Sequence, residues 1–256
     1  MVERVSFASS VGPVLGGRID PPQGEVRGWG VFVHGFTLGK DSPAAARICK
    51  QLASEGIGML RFDALGLGDS EGDWGDGSFT VKVADTRRAI EHMAERGTPA
   101  DLVVGHSWGG AAAIAATADG AEVRAVASVG APADPSHAEH QYDALVDRVM
   151  AEGHTEWLVG GRALTLKRAF VEDVRAADLE GRIGALGRPL LVMHSPTDDT
   201  VGIANASEIF NQARHPRSFV SLEGADHLLT APGQAQRAGR IVSAWADPYL
   251  TGPASD

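Results

Sequence analysis

Residues 103–113 read VVGHSWGGAAA, so that a Gly-X-Ser-X-Gly pentapeptide separates two valines from a run of alanines. The valines favour a buried strand and the alanines favour a helix, which puts the pentapeptide in a strand-to-helix turn. In such a sharp turn the backbone segments approach closely, and side chains larger than hydrogen at Gly105 and Gly109 would clash. The stretch therefore predicts that Ser107 is raised above the carboxyl edge of a sheet, where ligands bind in open α/β folds.

Short apolar runs alternate with helical segments along most of the chain. Apolar runs predict strands at residues 29–33, 57–62, 102–104, 123–129, 190–193 and 219–222. Helix formers or helical spacing predict helices at residues 42–55, 81–96, 111–118, 204–213 and 234–245. Short runs bounded by Gly, Pro or Asp are typical of strands buried on both faces, as in parallel sheets. The alternation predicts an α/β fold in which helices cover both faces of a mostly parallel central sheet.

Two regions depart from this alternation. Residues 3–7 and 14–19 leave no room for a helix between them, which predicts an antiparallel hairpin at the edge of the sheet. Residues of about 132–188 contain a helical stretch near 138–151 and two apolar runs around Gly160-Gly161, which predict a β-hairpin with positive φ at its turn. We expect one domain of 256 residues in which this second region is a small cap insertion over the edge of the sheet.

The charge balance bears on the class of partner. Lys and Arg number 23 against 33 Asp and Glu, and the resulting formal net charge of −10 repels nucleic acid and anionic membrane surfaces. No apolar stretch reaches membrane-spanning length, and the first residues lack the basic and apolar regions of a signal peptide. We therefore expect a cytoplasmic protein that binds neither nucleic acid nor membranes, and an oligomer is compatible with the sequence. The one cysteine, Cys49, is interpreted as a small buried apolar residue.

A serine hydroxyl at such a turn becomes a good nucleophile only when a base removes its proton. Of the nine histidines, His227 lies in the loop that follows the last predicted strand, and it is our candidate base. A carboxylate is needed to orient the imidazole and to stabilise its charged form. Asp198 follows the preceding predicted strand and is the favoured candidate, with its neighbour Asp199 as the alternative. The order along the chain is nucleophile, acid, histidine.

Three more histidines stand at the ends of predicted strands near Ser107, namely His34, His106 and His194. They could line the site, but a histidine at a strand end can equally satisfy buried backbone groups through its two ring nitrogens. We favour the second interpretation and assign none of the three to catalysis.

The chain resembles the α/β-hydrolase superfamily, serine esterase type, over most of its length. The resemblance runs from His34-Gly35-Phe36 to Asp226-His227-Leu228, and the family has the same order of nucleophile, acid and histidine. It implies an α/β-hydrolase fold and a serine hydrolase. It also implies an oxyanion hole made by the backbone N–H groups of Phe36 and Trp108, and a structural role for Asp63.

A narrower similarity joins the chain to hydrolase domains that are sometimes fused to an OsmC-type peroxide-reductase domain. It rests on residues 40–41, 60–63, 194–196 and 225–229. Some relatives carry cysteine in the loop that follows the third strand. This chain has Gly35 and Leu38 there, which argues against a redox role for the loop.

Together these observations predict an esterase in which Ser107 attacks a small-molecule ester, His227 transfers the proton and Asp198 orients His227. No cofactor and no metal is needed for this chemistry. Hydrolysis of amides, thioesters or carbon–carbon bonds by the same triad is an alternative, because specificity lies outside the triad. Two further alternatives are a non-catalytic partner of an OsmC-type redox protein and a metal-assisted hydrolase. The metal ligands of that hydrolase would be His194, Asp198, Asp199 and His227.

Overall fold

The computed structural model describes residues 2–251. Its strands, in chain order, are β1 Glu3–Ala8, β2 Val14–Asp20, β3 Gly28–Val33, β4 Ile57–Phe62, β5 Leu102–His106, β6 Ala125–Val129, β7 His154–Val159, β8 Arg162–Lys167, β9 Leu190–His194 and β10 Arg217–Ser221. Its helices are α1 Pro43–Ser54, α2 Phe79–Glu95, α3 Trp108–Ala118, α4 Asp143–Glu152, α5 Arg168–Ala176, α6 Glu180–Ala185, α7 Ala204–Gln212 and α8 Gln234–Ala246. Short 3₁₀ segments lie at Trp74–Asp76, Pro135–Gln141 and Asp247–Tyr249.

Eight strands form one sheet in the order β1-β2-β4-β3-β5-β6-β9-β10. The first two pairings, β1 with β2 and β2 with β4, are antiparallel, and the other five are parallel. The predicted edge hairpin and the predicted, mostly parallel sheet are therefore confirmed. The start of β10 lies at Arg217, two residues before the predicted start, because this edge strand is half-exposed and its first residues lack the apolar signal.

Two hydrophobic cores cover the two faces of the sheet, and neighbouring residues on a strand alternate between them. Phe32 of β3 packs in the core that α1 and α8 cover. Val31 and Val33 pack in the other core, beneath α2 and α3. This period of two is what a strand buried on both faces requires. Cys49 of α1 is fully buried among apolar residues, as its interpretation as a small apolar side chain predicts.

The region between β6 and β9 has its own small sheet. Strands β7 and β8 pair antiparallel from His154 to Lys167, and Gly160 and Gly161 both have positive φ, so the predicted hairpin is confirmed. The predicted helix near 138–151 is divided, because Tyr142 has φ −136° and ψ 16° between the 3₁₀ segment and α4. Helices α5 and α6 follow the hairpin and were not predicted.

No helix among the described residues combines the length and the apolar character that crossing a bilayer requires.

Candidate active site

The turn between β5 and α3 holds Ser107 in a conformation that non-glycine residues rarely adopt, with φ 55° and ψ −130°. Such a conformation costs about 1–3 kcal/mol and persists only where the surroundings enforce it. A Cβ at Gly105 would lie 2.3 Å from the Gly109 carbonyl oxygen, and a Cβ at Gly109 would lie 2.2 Å from that of Val33. The two glycines therefore allow the close approach that the sequence predicts.

Three side chains from separate loops meet at this turn. Nε2 of His227 lies 3.0 Å from Oγ of Ser107, and Nδ1 of His227 lies 2.7 Å from Oδ2 of Asp198. All three residues are buried. An ionised carboxylate can only accept, so the ring carries its hydrogen on Nδ1 and leaves Nε2 free to accept from the Ser107 hydroxyl. The arrangement can withdraw a proton from the serine oxygen.

Asp198 is held as an anion by its own loop. The N–H groups of Val201 and Thr200 donate to its Oδ1 at 2.8 and 3.0 Å. Burial alone would raise the pKa of Asp198, but the hydrogen bonds from His227 and from these N–H groups outweigh it and keep the pKa below its usual value. Asp199 is exposed, and its carboxylate accepts from the Thr200 hydroxyl instead. Of the two candidate acids, the structure brings Asp198 to His227.

The backbone N–H groups of Phe36 and Trp108 have no acceptor among residues 2–251. In each case the carbonyl of the same peptide unit is already bonded. The Gly35 carbonyl accepts from Nδ1 of His34 at 2.8 Å, and the Ser107 carbonyl accepts from the N–H of Gly110 at 2.8 Å. Because C=O and N–H point in opposite directions across a trans peptide, these bonds direct the two N–H groups away from the protein interior that holds the carbonyls. Trp108 also begins α3, where N–H groups lack intrahelical partners.

The strand-end histidines satisfy buried backbone groups, as the sequence interpretation favoured. Nε2 of His106 bonds the carbonyl of His227 at 2.7 Å, and Nε2 of His194 bonds that of Val201 at 2.7 Å. His34 additionally accepts from the N–H of Ala64 at 3.1 Å. Burial is the main cause that lowers the pKa of all three, to about 4 for His106. The rings are therefore neutral and tie together the loops that carry the site.

Asp63 joins the loop after β3 to the loop after β4, in agreement with its predicted structural role. Its carboxylate pairs with the buried ammonium of Lys40 and accepts from the N–H groups of Lys40 at 2.8 Å and Asp69 at 2.9 Å. Lys40 also pairs with Asp69 at 2.7 Å. No local pattern predicts that Lys40 pairs with Asp63, because the two residues lie 23 positions apart.

An aromatic cluster surrounds the side chain of Phe36. Its ring centroid lies 5.1 Å from that of Trp108 and between 5.6 and 6.1 Å from those of the other members. These other members are Trp74, Tyr142, Trp157 and Phe170. A small cavity beside the cluster is lined by Ser107, Phe36 and Trp108, and by residues of two other segments. These residues are Pro132, His137, Ala138, His140 and Gln141 from the segment after β6, and Thr200 and Val201. The sequence did not predict that residues of the segment 132–141 line the site, because histidines in a surface segment show no distinctive pattern.

The geometry does not favour the metal-assisted alternative. Among the described residues, no group of three or more His, Cys, Asp or Glu side chains is arranged to hold a metal ion. Nε2 of His194 is engaged with a backbone carbonyl, and Asp199 is directed to solvent.

Comparisons with known proteins agree with this fold. A family model described as serine aminopeptidase, S33, matches residues 24–179. The esterase domain of a Rhodothermus marinus protein is 36% identical, with a TM-score of 0.76 over 97% of this chain and 99% of that chain. No curated protein sequence matches significantly.

Two more distant structures share the fold. Est1E from Butyrivibrio proteoclasticus, solved with ferulic acid bound, is 18% identical with a TM-score of 0.77, covering 96% of this chain and 98% of that chain. A dienelactone hydrolase from Anabaena variabilis is 19% identical with a TM-score of 0.70, covering 98% and 99%. The matched family model, supported by the homologous esterase domain, shows that the chain belongs to the α/β-hydrolase family described as serine aminopeptidase, S33.

Proposed function

We propose that this protein is a serine hydrolase that cleaves carboxylic esters through an acyl-enzyme, with Ser107, His227 and Asp198 as its catalytic triad. The observation that carries the proposal is the pair of hydrogen bonds at His227, 3.0 Å to the serine oxygen and 2.7 Å to the carboxylate. These distances are within the range in which a base can take up a proton without rearrangement.

In the proposed reaction, the Ser107 hydroxyl oxygen attacks the ester carbonyl as its proton passes to Nε2 of His227. The anionic Asp198 stabilises the imidazolium that forms. Negative charge develops on the former carbonyl oxygen, and the free N–H groups of Phe36 and Trp108 are positioned to bind it. His227 then protonates the leaving alcohol. A water molecule, activated by the same imidazole, releases the acid and restores Ser107.

Esters are the favoured substrates because the 36% identical chain is named an esterase domain. Amides, thioesters and carbon–carbon bonds could be cleaved by the same groups, and the choice depends on residues around the triad. The more distant structures support the fold alone, so they do not narrow the substrate class.

We also propose that residues of about 132–188 act as a cap. His137, Ala138 and Gln141 from this segment line the cavity that contains Ser107, and Trp157 contacts Phe36 with ring centroids 5.9 Å apart. A cap at this position would decide which acyl and alcohol groups can bind. The cytoplasmic location and the absence of nucleic-acid and membrane partners stay predictions from charge and sequence.

The proposal is tested with short p-nitrophenyl esters and a fluorophosphonate probe. We expect the wild-type protein to hydrolyse the esters and to be labelled at Ser107, as located by peptide mass spectrometry. Ser107→Ala should lower kcat by about 10⁴-fold or more and abolish the labelling. Asp198→Asn should lower kcat by up to about 10⁴-fold, whereas Asp199→Asn, its exposed neighbour, should stay close to wild type.

Ester turnover that persists in Ser107→Ala would contradict the proposed nucleophile. Absence of both turnover and labelling in the wild-type protein would instead favour the non-catalytic alternative.

A further inference from the structure

A side chain from the β7–β8 hairpin reaches the loop that carries Phe36. Nη2 of Arg162 donates to the carbonyl oxygen of Thr37 at 2.6 Å. Arg162 is the first residue of β8, directly after the Gly160-Gly161 turn, and the hairpin is anchored beneath it by the buried Leu164 and Leu166. The guanidinium is therefore presented from a fixed element rather than from a free loop.

Thr37 has φ 52°, which is unusual for a β-branched residue. A threonine in this region is strained and needs external contacts to remain there. The Arg162 guanidinium is a charged donor to its carbonyl, and charge-assisted hydrogen bonds of this kind are about twice as strong as neutral ones. Arg162 and Thr37 are 125 residues apart in sequence, so their hydrogen bond links the hairpin to the loop after β3.

Two trans peptide units connect this contact to the N–H of Phe36. Arg162 bonds the Thr37 carbonyl, whose peptide unit has the N–H of Leu38 on its opposite side. That N–H donates to the Gly35 carbonyl at 3.3 Å. The peptide unit of Gly35 in turn has the N–H of Phe36 on its opposite side. Charge on Arg162 therefore acts at one end of a chain of peptide dipoles whose other end is the free N–H of Phe36.

Hydrogen bonds in such a chain polarise one another, by about 10–30% per bond. The contact therefore has two physical effects. It fixes the direction of the Phe36 N–H, and it makes that N–H a stronger donor to a negatively charged oxygen.

We propose that Arg162 is a positioning residue for the oxyanion hole, which aligns and polarises the N–H of Phe36 through the Thr37–Leu38 and Gly35–Phe36 peptides. The inference rests on the proposed function, since it assigns Arg162 to the transition state of that reaction. It also gives the β7–β8 hairpin a role in the reaction in addition to its proposed role as part of the cap.

The test compares Arg162→Met, Arg162→Lys and the control Arg168→Met. Arg168 belongs to the same segment and also donates to a backbone carbonyl, that of Ala151 in α4, which is not part of the loop after β3. Complete loss of an oxyanion donor costs about 10²- to 10³-fold in rate. Because the Phe36 N–H would remain but lose its alignment and polarisation, we expect Arg162→Met to lower kcat about tenfold with KM within twofold of wild type.

A second measurement separates this role from a structural one. A trifluoromethyl ketone, which forms a charged tetrahedral adduct with the serine, should bind Arg162→Met more weakly by the same factor by which kcat/KM falls. Arg162→Lys, which keeps the charge but offers fewer donors, should restore part of both losses. The Tm of both Arg162 variants should stay within a few degrees of wild type, because Arg162 is exposed.

Arg162→Met with kcat and inhibitor affinity equal to those of Arg168→Met would overturn the inference while leaving the proposed function intact. A loss that appears in KM alone would overturn it as well, because it would assign Arg162 to substrate binding. Failure of the proposed function is recognised separately, by the absence of fluorophosphonate labelling in the wild-type protein.

Discussion

The turn that carries the candidate nucleophile and the loop that follows β3 are strained in the same way but held in different ways. Ser107 has φ 55° and Thr37 has φ 52°. The turn around Ser107 is enforced by its own neighbours, because Gly105 and Gly109 let the backbone pack against itself and against β3. The loop around Thr37 is held by side chains from elsewhere, chiefly Arg162 and the Asp63–Lys40 pair.

This difference determines how each loop responds to mutation. A turn that depends on close backbone packing has no room for an added atom. A single methyl group added at Gly105 or Gly109 should therefore disrupt it. A loop held by several remote contacts should lose alignment in steps as the contacts are removed one at a time. We therefore expect the largest losses from changes in the turn around Ser107 and smaller losses from changes around Thr37.

Gly109→Ala should have the largest effect. The added Cβ would lie 2.2 Å from the Val33 carbonyl oxygen and 2.4 Å from that of His34, and a backbone atom cannot move aside as a flexible side chain can. We expect a loss of several kcal/mol in the free energy of unfolding, about 4 kcal/mol or more, and of about 100-fold or more in ester hydrolysis. Urea unfolding and kcat measure the two effects.

The matched control is Gly184→Ala. A Cβ at Gly184 meets no atom within 4 Å, and the residue lies inside α6. Alanine favours a helix over glycine by about 1 kcal/mol, so this variant should be as stable as wild type or more so. If Gly109→Ala matched it, the turn would not depend on close packing at Gly109.

The nucleophile turn could be predicted from sequence because the serine and the two glycines that allow it lie within five consecutive residues. The same holds for the β7–β8 hairpin, whose Gly-Gly turn is a local signal. The carboxyl ends of parallel strands share one edge, which is why loop position predicts His227 and the Asp198–Asp199 pair as site residues. Loop position alone does not separate Asp198 from Asp199. Phe36, by contrast, entered only through the family resemblance of the segment around His34.

The contacts that hold the loop after β3 could not be predicted in the same way. Arg162 is one of many charged residues in the sequence, and nothing local pairs it with a carbonyl 125 residues earlier. Helix α5 was missed for a different reason, since Phe170, Val171 and Val174 do have helical spacing. Their signal follows a strand without an intervening turn, so the boundary between β8 and α5 is hidden.

Asp63→Asn tests the strongest remote contact of the second loop. It leaves the ammonium of Lys40, which is 2% exposed, without its buried anionic partner. Removing one member of a buried pair costs about 3–5 kcal/mol, and we expect a loss of that size in urea unfolding. Activity should fall less steeply than in Gly109→Ala, because Arg162 and His34 still hold the loop.

Asp69→Asn is the matched control for this pair, because Asp69 contacts the same ammonium from the protein surface. Solvent screens that contact, so the loss of stability should be much smaller than in Asp63→Asn. Equal losses in the two variants would show that burial does not decide the strength of the pairs.

His106 predicts a dependence of stability on pH. Its pKa in the folded protein is about 4, against 6.5 for an ordinary histidine. Between these values the unfolded chain binds more protons, so the stabilisation is present above pH 6.5 and is lost as the pH falls towards 4. The shift corresponds to up to about 3 kcal/mol. His34 and His194, whose pKa values are also lowered, should contribute in the same direction.

His106→Gln separates this contribution. The amide nitrogen of glutamine can take the position of Nε2 and donate to the His227 carbonyl, but it does not titrate. We expect the variant to lose less stability than wild type between pH 7 and pH 5 in urea unfolding. An unchanged pH dependence would mean that His106 takes up its proton equally in the folded and unfolded states, so that folding does not lower its pKa.

His34 offers the smallest and most specific test, because its two ring nitrogens serve two different loops. Nδ1 bonds the Gly35 carbonyl, which aligns the Phe36 N–H, and Nε2 accepts from Ala64 in the loop after β4. The amide nitrogen of His34→Asn can replace Nδ1, whereas the amide oxygen of His34→Gln can replace Nε2. Each variant therefore loses one hydrogen bond, worth about 1 kcal/mol, and the two should be similarly stable.

Their activities should nevertheless differ. His34→Gln loses the bond to the Gly35 carbonyl, so the N–H of Phe36 is no longer directed towards the developing oxyanion. We expect a kcat about tenfold lower than that of wild type at unchanged KM. His34→Asn keeps that bond and should stay within a few-fold of wild type. If the two variants are similarly stable, a lower kcat in His34→Gln would assign the difference to the peptide that His34 aligns. Equal activities would rule out that role for its ring.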